Sequence, residues 1–179
     1  PRYQFNVGII YIGRSQSTEL EVLSNQSGSP LYELFLENMG RKVPINEKGR
    51  PEFDLSNPLH HGIYFNKSHD EFLYRVATWE NSENMILSHD THEKSVVGSG
   101  KVQIVWVEDV NGGNIRNIFD SSYGTLVVLH PIYSFAKTSL GDESAIFLRV
   151  SIYKHNVKNK YFGPLVDGML VEFHRIAEL

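Results

Sequence analysis

The chain has 179 residues, 41% of them hydrophobic and 21% charged, the proportions of one folded domain and neither a disordered tract nor a membrane protein. With 17 basic against 21 acidic residues its formal charge is −4 and its pI near 6.1, so the overall field does not favour nucleic acid or anionic lipid. It contains no cysteine, which excludes disulfides, thiolate zinc sites and thiol nucleophiles together.

No apolar run approaches the roughly 20 residues of a membrane helix. The start, Pro1-Arg2-Tyr3-Gln4, is not a signal peptide, and the missing initiator Met points to an internal piece of a longer protein. A single cytoplasmic domain is expected.

In chain order, Phe5–Ile12 (FNVGIIYI) is β-branched and aromatic and reads as a buried strand ending at Gly13. After the loop 24–28, Ser29 and Pro30 open a helix as N-cap and first helical residue, Leu31, Leu34, Phe35 and Met39 recur at helical spacing, and Gly40 ends it. Residues 41–62 turn polar, with Pro44, Pro51 and Pro58, and read as a long functional or disordered loop. Glu71–Thr78 predicts a strand, and Asn84–Val97 a short, weak helix. Lys101–Val107 predicts a strand, 111–114 a turn, and Leu126–Leu129 and Ala145–Tyr153 two further strands. The fold class is α/β, a mixed central sheet of four or five strands flanked by helices, with the strand order not readable.

The residue chemistry alone discloses no function. His89 and His92 are three apart with Glu93 outside them, whereas a zincin helix needs His-Glu-x-x-His. His60, His61 and His69 are scattered, and no metal is expected. Gly98-Ser99-Gly100-Lys101 is too short to wrap a phosphate pair and leads into a strand, not a helix. It also lacks the spacing of a hydrolase nucleophile elbow. Asp142-Glu143 after Gly141 reads as solvated charge in a turn, and Lys154, Lys158 and Lys160 as a surface cluster.

Several segments, in order, resemble the Rap/Ral/Rheb GTPase-activating (Rap-GAP, tuberin-like) domain family. The first strand followed by Leu23-Ser24-Asn25 is similar to the family's opening strand and "ILSN" continuation. The run 28–35 (GSPLYELF) resembles its "GS-x-x-Y-x-x-F" helix, Tyr64-Phe65 with Glu71–Thr78 its next strand, Val102–Trp106 (VQIVW) its "VHIVW" strand, and 161–168 (YFGPLVDG) its "FFGPLFDG" motif. The resemblance covers nearly the whole chain and implies a Rap-GAP-type fold. It also implies no cofactor and a Ras-like small GTPase as partner. Two departures accompany it. The family's Gly-rich "GFMGGL" stretch is replaced by the Pro-rich loop 44–58, and the family's long C-terminal helix is cut short or left out after Gly168.

The resemblance also implies a mechanism that this chain breaks. Family members use an asparagine "thumb" whose carboxamide positions the attacking water, catalysis of phosphoryl transfer being positioning plus electrostatics. The thumb segment, Arg-His-(Ile/Leu)-Gly-Asn-Asp, corresponds to Ser95-Val96-Val97-Gly98-Ser99-Gly100, so Ser99 stands at the Asn position and Gly100 at the following Asp. A serine offers one hydroxyl, a bond shorter than the amide it replaces, and two flanking glycines loosen it. Losing the water-positioning group costs on the order of 10³-fold in rate. The expectation is therefore a degenerate domain without a catalytic residue. It is most like the non-catalytic β-subunit of the RalGAP complex and pairs as a heterodimer with a catalytic α-like subunit to act on Ral-type GTPases. The alternatives are an active GAP with a relocated water-positioning group such as Asn84, and an effector that reads the GTP state without hydrolysing it. The segment holding Ile115, Arg116, Ile118, Phe119 and Tyr123 resembles the family's GTPase-facing region and is the candidate partner-binding surface; ordinary core and turn is the other reading of it.

Overall fold

The computed structural model describes residues 3–46, 50–52, 60–80, 101–109, 115–119, 123–138, 141–154 and 161–178. The helix expected at Asn84–Val97 and the turn expected at 111–114 lie outside them, as do His89, His92, Lys158 and Lys160.

The described strands are β1 (Tyr3–Ile12), β2 (Arg41–Ile45), β3 (His60–Lys67), β4 (Asp70–Val76), β5 (Val102–Val107), β6 (Thr125–Thr138), β7 (Gly141–Lys154), β8 (Tyr161–Phe162), β9 (Leu165–Val166) and β10 (Leu170–Glu172). Eight of them form one sheet in the order β10-β7-β6-β5-β1-β4-β3-β2, and β8 pairs with β9. The middle four run parallel, β5 with β6 and β1 with both β5 and β4. Both wings are antiparallel. The second half of the central strand β1, Gly8–Ile12, is continuously apolar, as a stretch covered on both faces must be.

Alternate side chains of β1 feed two cores. Ile9 joins Trp106, Leu129, Val150 and Ile152 under helix α2 (Pro30–Met39), through Tyr32, Phe35, Leu36 and Met39, and under the 3₁₀ segment η1 (Phe173–Glu178), through Phe173 and Ile176. Ile10 and Ile12 join Val105, Val107 and Val128 on the opposite face with Val22 of α1 (Glu19–Leu23) and Ile118 of α3 (Ile115–Ile118). Tyr32 and Phe35 rings lie 5.9 and 5.2 Å from Trp106, so the helix is seated by aromatic contacts.

Helix α2 begins and ends where its sequence predicts. The Ser29 hydroxyl accepts from Tyr32 N, Pro30 occupies the first turn, and Gly40 follows the last residue. Helix α1 goes unread in the sequence although Thr18 and Glu21 form a reciprocal capping box. The stretch 41–62 is less a loop than expected, for β2 and the start of β3 lie in it. Pro44 is accommodated because β2 is the last strand of the sheet, so its missing N–H interrupts no strand ladder, and its carbonyl accepts from Glu52 N at 3.0 Å. The expected short strand Leu126–Leu129 is the buried part of a 14-residue strand. Asp142 and Glu143 lie not in a turn but in β7, paired with Lys137 and Ala136 of β6. The sheet holds eight strands rather than four or five because the two antiparallel wings carry mixed, polar-rich sequence. Among the described residues no helix is long and apolar enough to cross a membrane.

Candidate functional site

Open sheets of this kind receive ligands beyond the carboxyl ends of their parallel strands. At that edge Glu108 follows β5, two residues beyond Trp106 and on the same face. Its Oε1 accepts from the buried Trp106 indole (Nε1, 2.8 Å) and from the Ser29 hydroxyl at the start of α2. Burial first, and the Glu108 charge second, push the Tyr11 phenol above its ordinary value. A second carboxylate, Glu33 Oε1, accepts from Gly28 N at 2.9 Å. The helix start that would attract a phosphate is therefore supplied with the chain's own anions. A Cβ on Gly28 would stand 2.1 Å from the Tyr32 ring, so only glycine lets the loop pass so close to the helix.

The loop after β1 is closed by its own amides. Asn25 and Gln16 exchange two hydrogen bonds of 2.9 Å, Asn25 Nδ2 also donates to Tyr11 O at 3.0 Å, and Gln16 Oε1 accepts from Gly13 N at 2.7 Å. The Asn25 of the "LSN" triplet thus ties the end of β1 to α1.

Ser99, the position expected to correspond to the thumb, lies with Ser95, Val96, Gly98 and Gly100 outside the described residues, as do Asn81 and Asn84. The residues on either side are placed. Chain departs after β4 and the 3₁₀ turn Ala77–Trp79 at Glu80, whose carboxylate holds Arg75 (NH2 2.8 Å, Nε 3.2 Å). His60 Nδ1 stands 3.0 Å from the other Glu80 oxygen, a close approach without the alignment of a hydrogen bond. Lys42 Nζ sits 4.2 Å above the Trp79 ring. Chain returns at Lys101, whose carbonyl accepts from Thr125 N at 2.8 Å. A Cβ on Gly124 would come within 2.3 Å of that carbonyl.

The candidate partner-binding residues are placed differently from the expected surface. Ile118, Phe119 and Tyr123 are buried in the second core, with Ile115 packed against it, and Phe119 meets Tyr123 edge-on at 4.8 Å. The Tyr123 hydroxyl donates to the Glu19 carboxylate in the first turn of α1. Apolar side chains at this spacing serve to roof the sheet, so the core reading replaces the contact reading for Ile118, Phe119 and Tyr123. Arg116 lies within the same short helix.

Sequence reasoning passes over a different exposed feature. Strand β5 pairs with β6 only as far as Trp106↔Leu129, and β10 meets β7 only at Phe147–Arg149, so the outer halves of β6 and β7 continue past the sheet as a two-stranded arm. Along one face of β6 the stripe Val127, Leu129 and Pro131 is buried, while its continuation Tyr133 and Phe135 is 55% and 82% exposed. Period-two alternation beyond Pro131 was the available signal.

The motif 161–168 owes its form to the backbone. Gly163 and Gly168 have φ of 58° and 85°, the left-handed region that favours glycine. Asp167 Oδ1 accepts from Ile152 N at 2.9 Å and Gly168 N donates to Val150 O at 2.8 Å, completing the edge of β7 beyond β10.

A mixed eight-stranded sheet with a parallel centre, carrying these motifs, is the Rap-GAP-type fold that the sequence resemblance implies. The Rap/ran-GAP family model matches residues 22–179, and the chain belongs to that family. It is 27% identical over 176 residues to rat (Rattus norvegicus) Ral GTPase-activating protein subunit alpha-1, an alignment covering 95% of this chain and 8% of that protein. It is 32% identical over 114 residues to mouse (Mus musculus) signal-induced proliferation-associated 1-like protein 1, covering 59% of this chain and 6% of that one. The chain thus spans under a tenth of the length of these curated relatives. The solved structure of the TSC2 GAP domain shares the fold, with a TM-score of 0.69 and 19% identity over 98% of this chain and 90% of that one.

Proposed function

We propose that this domain is a thumb-less Rap-GAP domain that serves as the non-catalytic subunit of a heteromeric GTPase-activating complex for Ral-type small GTPases in the cytoplasm. The observation that carries the reading is Ser99, flanked by Gly98 and Gly100, where the family's water-positioning asparagine belongs. A hydroxyl on a shorter side chain, without a second donor or acceptor arm, cannot replace a carboxamide in place. Two further facts support it. The rat relative covering 95% of the chain is named Ral GTPase-activating protein subunit alpha-1, which supports the Ral-directed complex and not the choice of subunit. The Tyr133–Phe135 stripe leaves an apolar face on a projecting arm, the kind of surface a protein that works in company carries.

The test is a single-turnover GTP hydrolysis assay on Ral, Rap and Rheb with the isolated domain, repeated after co-expression with RalGAP α-type subunits. The domain alone is expected to leave the intrinsic rate unchanged, and to co-purify with and support the α-type subunit. Clear acceleration by the isolated domain that Ser99→Ala abolishes refutes the reading. Acceleration that Asn84→Ala abolishes while GTPase binding persists establishes the relocated-asparagine alternative instead.

A further inference from the structure

Among the described residues the α2 face of the sheet is only half covered. Toward the amino ends of β1, β4 and β5 it opens into a hollow of about 800 Å³, within the range of small-ligand sites. Its floor is Phe5, Val7, Phe72, Tyr74, Val102 and Ile104, and Phe35 and Met39 of α2 and Ile176 of η1 form walls. Phe5 and Phe72 stack at 5.3 Å, and Phe5 is half exposed. The register places Lys101 one residue before Val102, and Leu129 opposite Trp106, so the lining runs five residues along the strands, roughly 16 Å.

The charged groups around this space have one sign. Among the described lining residues they are Lys67 and Lys101, with no aspartate or glutamate, while Gln4, Asn6 and the Tyr74 phenol are neutral. A long apolar trough with ammonium groups at one end is complementary to a flexible hydrocarbon chain bearing an anionic head. We propose that the hollow binds a free single-chain fatty carboxylate, its chain along β1 and β5 and its head at Lys101. A bilayer is the other source of such chemistry. The trough, however, is recessed between α2 and η1, and a membrane surface meets protruding side chains rather than a concavity. The proposal is independent of the GTPase-activating reading.

The experiment is calorimetric titration of the whole chain with dodecanoate and with myristate, beside 1-dodecanol and beside vesicles of phosphatidylcholine and phosphatidylserine. One site per chain is expected, with myristate binding about fifteenfold more tightly than dodecanoate, the increment for two buried methylenes. Lys101→Glu, at an exposed position, is expected to weaken dodecanoate at least tenfold and leave 1-dodecanol unchanged. Ile104→Trp, which fills the trough, abolishes both, with circular dichroism confirming the fold. If Ile104→Trp does not fold, the Lys101→Glu contrast decides alone. Absence of saturable carboxylate binding, equal weakening of acid and alcohol by Lys101→Glu, or capture by anionic vesicles without monomer binding overturns the proposal.

Discussion

Replacing Glu108 by alanine tests whether the carboxylate at the end of β5 is a fastening for α2. It removes the acceptor of the Trp106 indole, a donor inside a side chain with 0% exposure, and the acceptor of the Ser29 hydroxyl. A hydrogen bond to a charged group is worth about 1.5–3 kcal/mol, and an orphaned buried donor costs about 1–3 kcal/mol. The negative charge near the start of a helix contributes roughly 0.3–1 kcal/mol more. Ser29 is partly exposed and can turn to water, so its share is small. Together these place Glu108→Ala at about 3 kcal/mol of destabilisation, which at a urea m-value of about 2 kcal/mol/M lowers the midpoint by roughly 1.5 M. Glu108→Gln keeps an oxygen for the indole and should cost about 1 kcal/mol. It should also lower the Tyr11 pKa by removing the second cause of its elevation, while burial, the first, keeps it raised. Tyrosinate absorbance reads the one and urea unfolding the other. A Glu108→Ala protein within 0.5 kcal/mol of the parent, or a glutamine variant as damaged as the alanine variant, refutes the reasoning.

Asp167→Ala leaves the Ile152 amide without its acceptor and should cost about 1–3 kcal/mol, with Asp167→Asn less than half of that, measured by thermal or urea unfolding. Arg75→Met strands Glu80 in a buried place and should cost about 3–5 kcal/mol. Adding Glu80→Gln should restore most of it, and a double-mutant cycle giving no coupling would remove the clamp. Burial pushes the Tyr74 phenol from 10.0 up to about 12, so the folded state favours its neutral form. That contribution, about 2–3 kcal/mol, is full below pH 10 and is lost as pH rises through about 12. Tyr74→Phe should flatten this part of the alkaline stability curve, and an unchanged slope would count against it. Toward acid, burial and then Lys42 hold the His61 pKa below its ordinary value. Its contribution is full above 6.5 and falls away as pH drops toward the folded value.

Elements with one dominant signal were legible. Helix α2 could be read to the residue because Ser29, Pro30 and Gly40 each have one physical use at a helix end. The central strands could be read from their apolar carboxyl halves, such as Gly8–Ile12 and Val105–Val107, which are covered on both faces. In the wings β7 could be read from its apolar run Ala145–Tyr153, but β2 and β3 could not, since β2 holds Pro44 and β3 opens with two histidines, residues that only a sheet edge or a buried carboxylate makes reasonable. The candidate site was hardest. Phe119 and Tyr123 have the same composition whether they face a partner or a core, and only the sheet beneath them decides. Trp106 and Glu108 carry a period-two relation that could have been noticed, but Ser29 reaches Glu108 across 79 residues of sequence.

The residues by which this chain resembles its family are those that hold the scaffold. Tyr32 and Phe35 of the GSPLYELF segment fill the first core, Trp106 of VQIVW packs against them and donates to Glu108, and Gly163, Asp167 and Gly168 of YFGPLVDG close the edge of β7. Each contributes to stability through burial or a backbone fastening. These scaffold contacts support the fold and carry no information on hydrolysis. For the same reason family membership does not by itself decide activity. Ser99→Asn alone should restore little, because Ser95, Val96 and Gly100 also depart from the thumb segment. Replacing 95–100 with the family's segment should raise the single-turnover rate only if the scaffold still presents it to a GTPase. A graft that leaves hydrolysis at its intrinsic rate, on a domain shown to bind Ral, would mean that more than the thumb has been lost.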